Sequence, residues 1–245
     1  MAIKSIQYKQ QTFQISYDLV NPEKSKTLIF LHGWGASKEL MKKTFEKHLD
    51  AFRHVYIDLP GFGNSTCNRP LVTEDYANIL ELFLAQINAN QDHMILGHSF
   101  GGKVALLLNP QILILVGSAG IPVPKPLKIK AKIALFKLFK FVGLSKLRSM
   151  FVAEDAKKLS EIMYQTFKNV VNEDMTRQFK AYNGKALLCW GKADTATPLF
   201  TAEKINSLIA DSRLVVYEGD HYFFMQQADL VAKEIETTLL ASLQH

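Results

Sequence analysis

The sequence predicts an α/β fold: a mainly parallel sheet flanked by helices, with a helical insertion late in the chain. Three observations predict it. Short, nearly continuous apolar runs recur along the 245 residues, as in strands buried on both faces. Patterns of helical period lie between them, and strand alternating with helix implies parallel strands joined by helical crossovers. From about residue 121 to 183 the alternation stops and only helical patterns remain.

Taken in order, Thr12–Tyr17 alternates with period two and reads as a half-buried strand opening the sheet in antiparallel fashion. The runs 27–31, 54–57, 93–96, 112–116, 186–190 and 214–217 are the buried strands. Thr73 to Asn88 carries Tyr76, Ile79, Leu80, Phe83, Leu84 and Ile87 at i, i+3, i+4, i+7 spacing, with Thr73 as the expected N-cap. A helix is expected from Gly102 onward. Leu230, Val231, Ile235 and Leu239 mark a C-terminal one. The insertion opens on Pro122, Pro124 and Pro126, which break regular structure. Two helices are expected in it, 128–142 and 153–171, separated by Gly143-Leu144-Ser145. The division is therefore a core of 1–120 and 184–245 with a helical insertion at 121–183.

Hydrophobic residues at 48% and charged residues at 21% are ordinary for a folded globular chain. No apolar stretch is long enough to span a bilayer and the first residues lack a secretory apolar run, so a cytoplasmic location is expected. Cys67 and Cys189 form no paired or metal-ligand spacing, which argues against disulfides and structural zinc and for two small buried residues. No metal or organic cofactor is implied. The net charge of +6 is uneven: residues 121–160 hold ten Lys/Arg against Glu154 and Asp155, so this segment carries the basic character.

The chemistry-bearing stretch is Gly97-His98-Ser99-Phe100-Gly101. It matches G-x-S-x-G between a strand and a helix, the context in which a sharp turn lifts a serine above the sheet edge while Gly97 and Gly101 let strand and helix approach. A turn with an incidental serine would share the pattern, so the rest of the chain must supply a base. In this topology acid and base follow the nucleophile in the order Ser, Asp/Glu, His. His32, His48, His54, His93 and His98 precede or adjoin Ser99, and His245 is the last residue. His221, just after the strand 214–217, is left as general base. Asp194, after the strand 186–190, is the expected orienting acid, preferred over Asp220, which is adjacent to the histidine. Two amides should bind an oxyanion: Phe100, opening the helix after the serine, and Trp34, in the loop His32-Gly33-Trp34-Gly35 after the strand 27–31. His32 is read as a brace for this loop, with Gly33 and Gly35 letting it bend. Asp58-Leu59-Pro60-Gly61-Phe62-Gly63-Asn64-Ser65 is read as a scaffold turn.

Together, HGWG at 32–35, DLPGFGNS at 58–65, GHSFGG at 97–102, GKADTATP at 191–198 and GDH at 219–221 resemble the α/β-hydrolase superfamily, in its motif order and over the whole chain except the insertion. The resemblance implies the α/β-hydrolase fold, a cap or lid formed by 121–183, and serine hydrolase chemistry without a cofactor. Serine at position 99 disfavours dehalogenase and epoxide hydrolase relatives, which use aspartate. The HGWG and DLPGFG strings are similar to those of small carboxylesterases and of meta-cleavage-product hydrolases, though GHSFG departs from the GWSLG of the carboxylesterases acting on pimeloyl-carrier-protein methyl ester. The expected activity is ester or thioester hydrolysis. C–C bond hydrolysis of the meta-cleavage-product type is the alternative, and a non-catalytic binding protein on a hydrolase scaffold the second, disfavoured because all three triad candidates are present.

The lysine-rich run 125–141 interleaves Lys with large apolar residues. A solvated face is its plainest reading. An acidic partner, an anionic substrate or an anionic membrane surface are the functional ones, and nucleic acid is not expected because no recognition motif accompanies the charge. Phe136, Phe139, Phe141, Tyr164 and Phe167 are candidates to line a pocket. The expected partner of the site itself is a small-molecule ester or related carbonyl compound.

Overall fold

The computed structural model describes residues 1–89, 94–124 and 154–242. Eight strands form one sheet in the order β1-β2-β4-β3-β5-β6-β7-β8: β1 Ala2–Tyr8, β2 Gln11–Val20, β3 Thr27–Leu31, β4 Arg53–Ile57, β5 Met94–His98, β6 Ile112–Val116, β7 Lys185–Gly191 and β8 Ser212–Tyr217. β1 and β2 pair antiparallel, as do β2 and β4, and every pair from β4 onward is parallel. The described helices are α1 Lys38–Phe45, α2 Thr73–Gln86, α3 Phe100–Leu107, α4 Glu154–Val170, α5 Thr176–Ala181, α6 Leu199–Leu208, α7 Phe223–Gln226 and α8 Ala228–Ser242. The mainly parallel sheet flanked by helices is the architecture the sequence predicts. None of the described helices is long and apolar enough to cross a membrane.

The apolar runs are continuous because each parallel strand feeds two cores. Ile29, Leu31, Ile95, Leu113 and Leu115 point to one face and meet Tyr76, Ile79 and Phe83 of α2 and Val104 of α3. Their neighbours Leu28, Phe30, Leu96, Ile112 and Ile114 point to the other, against Met41 and Phe45 of α1 and Val231, Ile235 and Leu239 of α8. Phe30 stacks on Tyr56 at 4.4 Å and on Phe45 at 5.7 Å, at the centre of this second core.

Several sequence expectations need correction. β1 carries no buried alternation of its own, with only Ile6 fully covered, and was not anticipated; its register with β2 holds it in the sheet. Helix α2 begins at Thr73, so Val72 stands at the N-cap and the Asp75 carboxylate accepts the Val72 N–H at 3.1 Å. Thr73 is not the cap: its hydroxyl donates to Glu173 across the chain. Leu230 on α8 is 59% exposed, and the helix packs through Val231, Ala232, Ile235 and Leu239. Of the insertion, α4 and α5 are described, between β6 and β7. The expected helix 128–142, the break at 143–145, the basic run 125–141 with Phe136, Phe139 and Phe141, His93 and His245 all lie outside the described residues.

Candidate functional site

The strand order turns round at β3: β4 lies on one side of it and β5 on the other, with β6 to β8 continuing outward. Crevices at the carboxyl ends of parallel strands form where such an order reverses. Ser99 stands there, directly after β5, and the segments after β3, β6, β7 and β8 converge on the same edge.

Ser99 has φ of 52°, in the left-handed region that L residues avoid. The turn is held by its own main chain: the Ser99 N–H donates to Val116 O at 3.1 Å, and Ser99 O accepts from Gly102 and Ala119. The flanking glycines are enforced by contact. A Cβ on Gly97 would lie 2.5 Å from Gly101 O, and one on Gly101 would lie 2.5 Å from Leu31 O. Strand, turn and helix could not close with any side chain at either position.

Asp194, at the end of the turn after β7, is 4% exposed, and its Oδ2 is 2.7 Å from Nδ1 of His221. The carboxylate also accepts the N–H groups of Ala196 and Thr197 at 2.8 Å each, and the Thr197 hydroxyl at 2.8 Å. Because a carboxylate only accepts, the His221 proton belongs on Nδ1. That leaves the Nε2 lone pair available, and Nε2 is buried with no hydrogen-bond partner among the described residues. Asp220 turns away from the ring: its side chain accepts the Tyr222 N–H.

The loop after β3 lies against the serine. A Cβ on Gly33 would sit 3.1 Å from Ser99 Cβ, and the Trp34 and Phe100 rings meet edge to face at 5.4 Å. His32 braces this loop: Nε2 accepts the Leu59 N–H at 3.0 Å, so Nδ1–H donates to Gly33 O at 2.8 Å, and burial holds its pKa below the ordinary histidine range. The turn at 58–65 is a scaffold. The Asp58 carboxylate accepts from the Lys38 N–H, the Lys38 ammonium and the Asn64 N–H. Burial pushes the Cys67 thiol up to about 11 and the Cys189 thiol up to about 12, so neither is a thiolate nucleophile.

A cavity of about 140 Å³ opens beside Ser99, walled by Trp34, Phe100, Ile121, Phe167 and Val170 and bounded on one side by Thr197. Phe167 lines it as expected, whereas Tyr164 is 57% exposed and does not. Among the described residues, no three His, Cys, Asp or Glu side chains cluster as a metal ion would need.

Four contributors were not anticipated. Thr197 braces Asp194, a role its position three residues after an aspartate in a turn could have suggested. Gly117, with φ of 52°, runs beside the pair: a Cβ there would be 3.2 Å from both Asp194 Oδ2 and His221 Nδ1. Lys103 and Glu173 enter the cavity wall from α3 and from the turn after α4, and nothing in the sequence links them.

The profile of the alpha/beta hydrolase family matches residues 28–234. The chain is 40% identical over 111 residues to a 1-acylglycerol-3-phosphate O-acyltransferase from Arabidopsis thaliana, covering 40% of this chain and 26% of that protein. It is 38% identical over 78 residues to a pimeloyl-[acyl-carrier protein] methyl ester esterase from Vibrio campbellii, covering 32% of this chain and 29% of that one. The matched stretches thus span about a quarter of the length of these relatives. A thermophilic esterase from Thermogutta terrifontis superposes with a TM-score of 0.75 at 18% identity, over 98% of this chain and 99% of the other.

Proposed function

From the premise that the chain belongs to the alpha/beta hydrolase family, we propose that it is a serine acyl hydrolase acting on carboxylic esters or thioesters. The observation that carries the proposal is the buried His221, bonded through Nδ1 to Asp194 and left with an unpartnered Nε2, on the sheet edge where the turn after β5 presents Ser99. A buried ring nitrogen without a partner costs free energy, so a use for it is the economical explanation.

In this mechanism Ser99 Oγ adds to the substrate carbonyl while its proton passes to His221 Nε2, and Asp194 stabilises the imidazolium. The main-chain N–H groups of Trp34 and Phe100 receive the oxyanion; Phe100 is the first residue of α3, where an N–H has no acceptor within the helix. His221 returns the proton to the departing alcohol or thiol. Water, deprotonated by the same nitrogen, then releases the acid and regenerates Ser99. Segment 121–183 is the proposed cap, of which α4 and the turn after it supply part of the cavity wall.

The small cavity, against the 300–1,000 Å³ usual for drug-sized ligands, favours short acyl groups. A fluorophosphonate probe should label the wild type and not Ser99→Ala, and kcat/KM on p-nitrophenyl esters from C2 to C12 should peak at the short end. A folded wild type that is neither labelled nor active would instead make this a binding protein on a hydrolase scaffold.

A further inference from the structure

Lys103 is the one lysine or arginine among the described wall residues of the cavity, and it is 2% exposed. It stands in the first turn of α3, four residues after Ser99, and lines the same cavity. Its ammonium donates to Val170 O at 2.6 Å and to the Glu173 carboxylate, and lies 5.7 Å from the centre of the Phe100 ring. Glu173 also accepts the Thr73 hydroxyl. An ammonium has three N–H groups, and among the described residues two of them have an oxygen acceptor. Burial lowers the Lys103 pKa, and Glu173 opposes that effect.

A tether between core and α4 would be served as well by apolar packing, since a buried ion pair replaced by hydrophobic side chains is often no less stable. An ion pair in the wall of an otherwise largely apolar cavity is better explained by something it recognises. We infer that Lys103, neutralised by Glu173, is a specificity-determining subsite for an uncharged oxygen acceptor, such as a keto group, on the acyl chain of the substrate several bonds from the scissile carbonyl. The inference rests on the acyl hydrolase reading of Ser99. It selects against a second carboxylate, because Glu173 already balances the ammonium and would repel another anion. It also selects against a plain alkyl chain, which would offer the third N–H no oxygen acceptor.

Three esters of matched shape test this: methyl hexanoate, methyl 5-oxohexanoate and monomethyl glutarate. Their affinities for Ser99→Ala, measured by calorimetry, read the subsite without any chemistry, while Ser99-dependent turnover reads the hydrolase proposal separately. The oxo ester should bind about tenfold more tightly than the hexanoate, the margin of one hydrogen bond to a charged donor, and the glutarate ester more weakly than either. Adding Lys103→Met should bring the oxo preference to about one. Adding Glu173→Gln, which leaves the ammonium unbalanced, should raise glutarate affinity at least tenfold relative to hexanoate. Equal affinities of the oxo and plain esters in Ser99→Ala, or an equal loss for all three esters in both added variants, would overturn the inference and leave the pair as a tether. Should Lys103→Met fail to fold, the Glu173→Gln comparison decides alone.

Discussion

At the scale of single residues, the site depends on what holds His221 in one tautomer. Asp194 does so with Oδ2 at 2.7 Å, and its remaining capacity is filled by Ala196 and Thr197. An asparagine at 194 could present its NH₂ group to Nδ1, favouring the tautomer with the proton on Nε2, where it would block proton uptake from Ser99. Asp194→Asn is therefore expected to lower kcat by roughly 10⁴-fold, as loss of the orienting carboxylate does in serine hydrolases, with little change in KM or in thermal midpoint; steady-state kinetics and a melting curve check both. His98 adds a constraint from below. Its Nε2 lies 3.2 Å from His221 O, so it donates there as a neutral ring, and burial followed by the neighbouring His221 holds its pKa well below the usual value. It anchors the main chain of His221.

Elements meet at this site through polar contacts as well as packing. Helix α4 is joined to the core at residue 71: the Leu71 N–H donates to the Thr166 hydroxyl at 3.2 Å, Asn169 Nδ2 donates to Leu71 O at 3.1 Å, and the Thr166 hydroxyl donates on to Ile162 O. Thr166 is fully buried, so Thr166→Val keeps its shape and strands the Leu71 N–H. The expected cost is about 1–3 kcal/mol, read as a lower denaturation midpoint. Because Phe167 beside it packs on Trp34 at 5.3 Å, kcat/KM on short esters should fall in the same variant. A change in stability with no change in kinetics would mean that α4 can shift without moving the cavity wall.

Across the whole molecule, three buried histidines set the response to acid. Burial lowers the pKa of His32, His54 and His98 below 6.5. The unfolded chain therefore binds more protons than the folded one as pH falls below about 6.5, and stability declines from there down to the depressed folded values. Each such histidine adds a slope of up to about 1.4 kcal/mol per pH unit. Asp18 and Asp75 act lower: burial works against their ionisation, but bonds to Lys42 and Lys9 outweigh it and keep both below 3.8. Between pH 6.5 and 4 the histidines should thus dominate. Urea midpoints are expected to drop steeply over this range, and less steeply in His54→Gln, which removes one of the three titrations. The His54 ring now accepts from Tyr56 and donates to Leu49 O, so that variant should also start from lower stability at pH 7.

Sequence by itself determined the α/β class, the six parallel strands and the helix after Ser99, because burial on both faces writes a strand as an unbroken apolar run and a forced turn writes itself in glycine. It also singled out Ser99, Asp194 and His221, since the chain order and the strand ends narrow the choice to a few residues. Only the tertiary structure decided that Asp194 Oδ2 reaches His221 Nδ1, that Gly117 runs beside that pair, and that Lys103 meets Glu173 seventy residues away in a cavity wall. Distances between segments far apart in the chain depend on how helices and turns pack over the sheet, and no local pattern of residues encodes them. The same reason explains β1 and Thr73: an edge strand with one buried side chain has almost no pattern to read, and a threonine that suits a helix cap can be claimed instead by a glutamate brought to it by the fold.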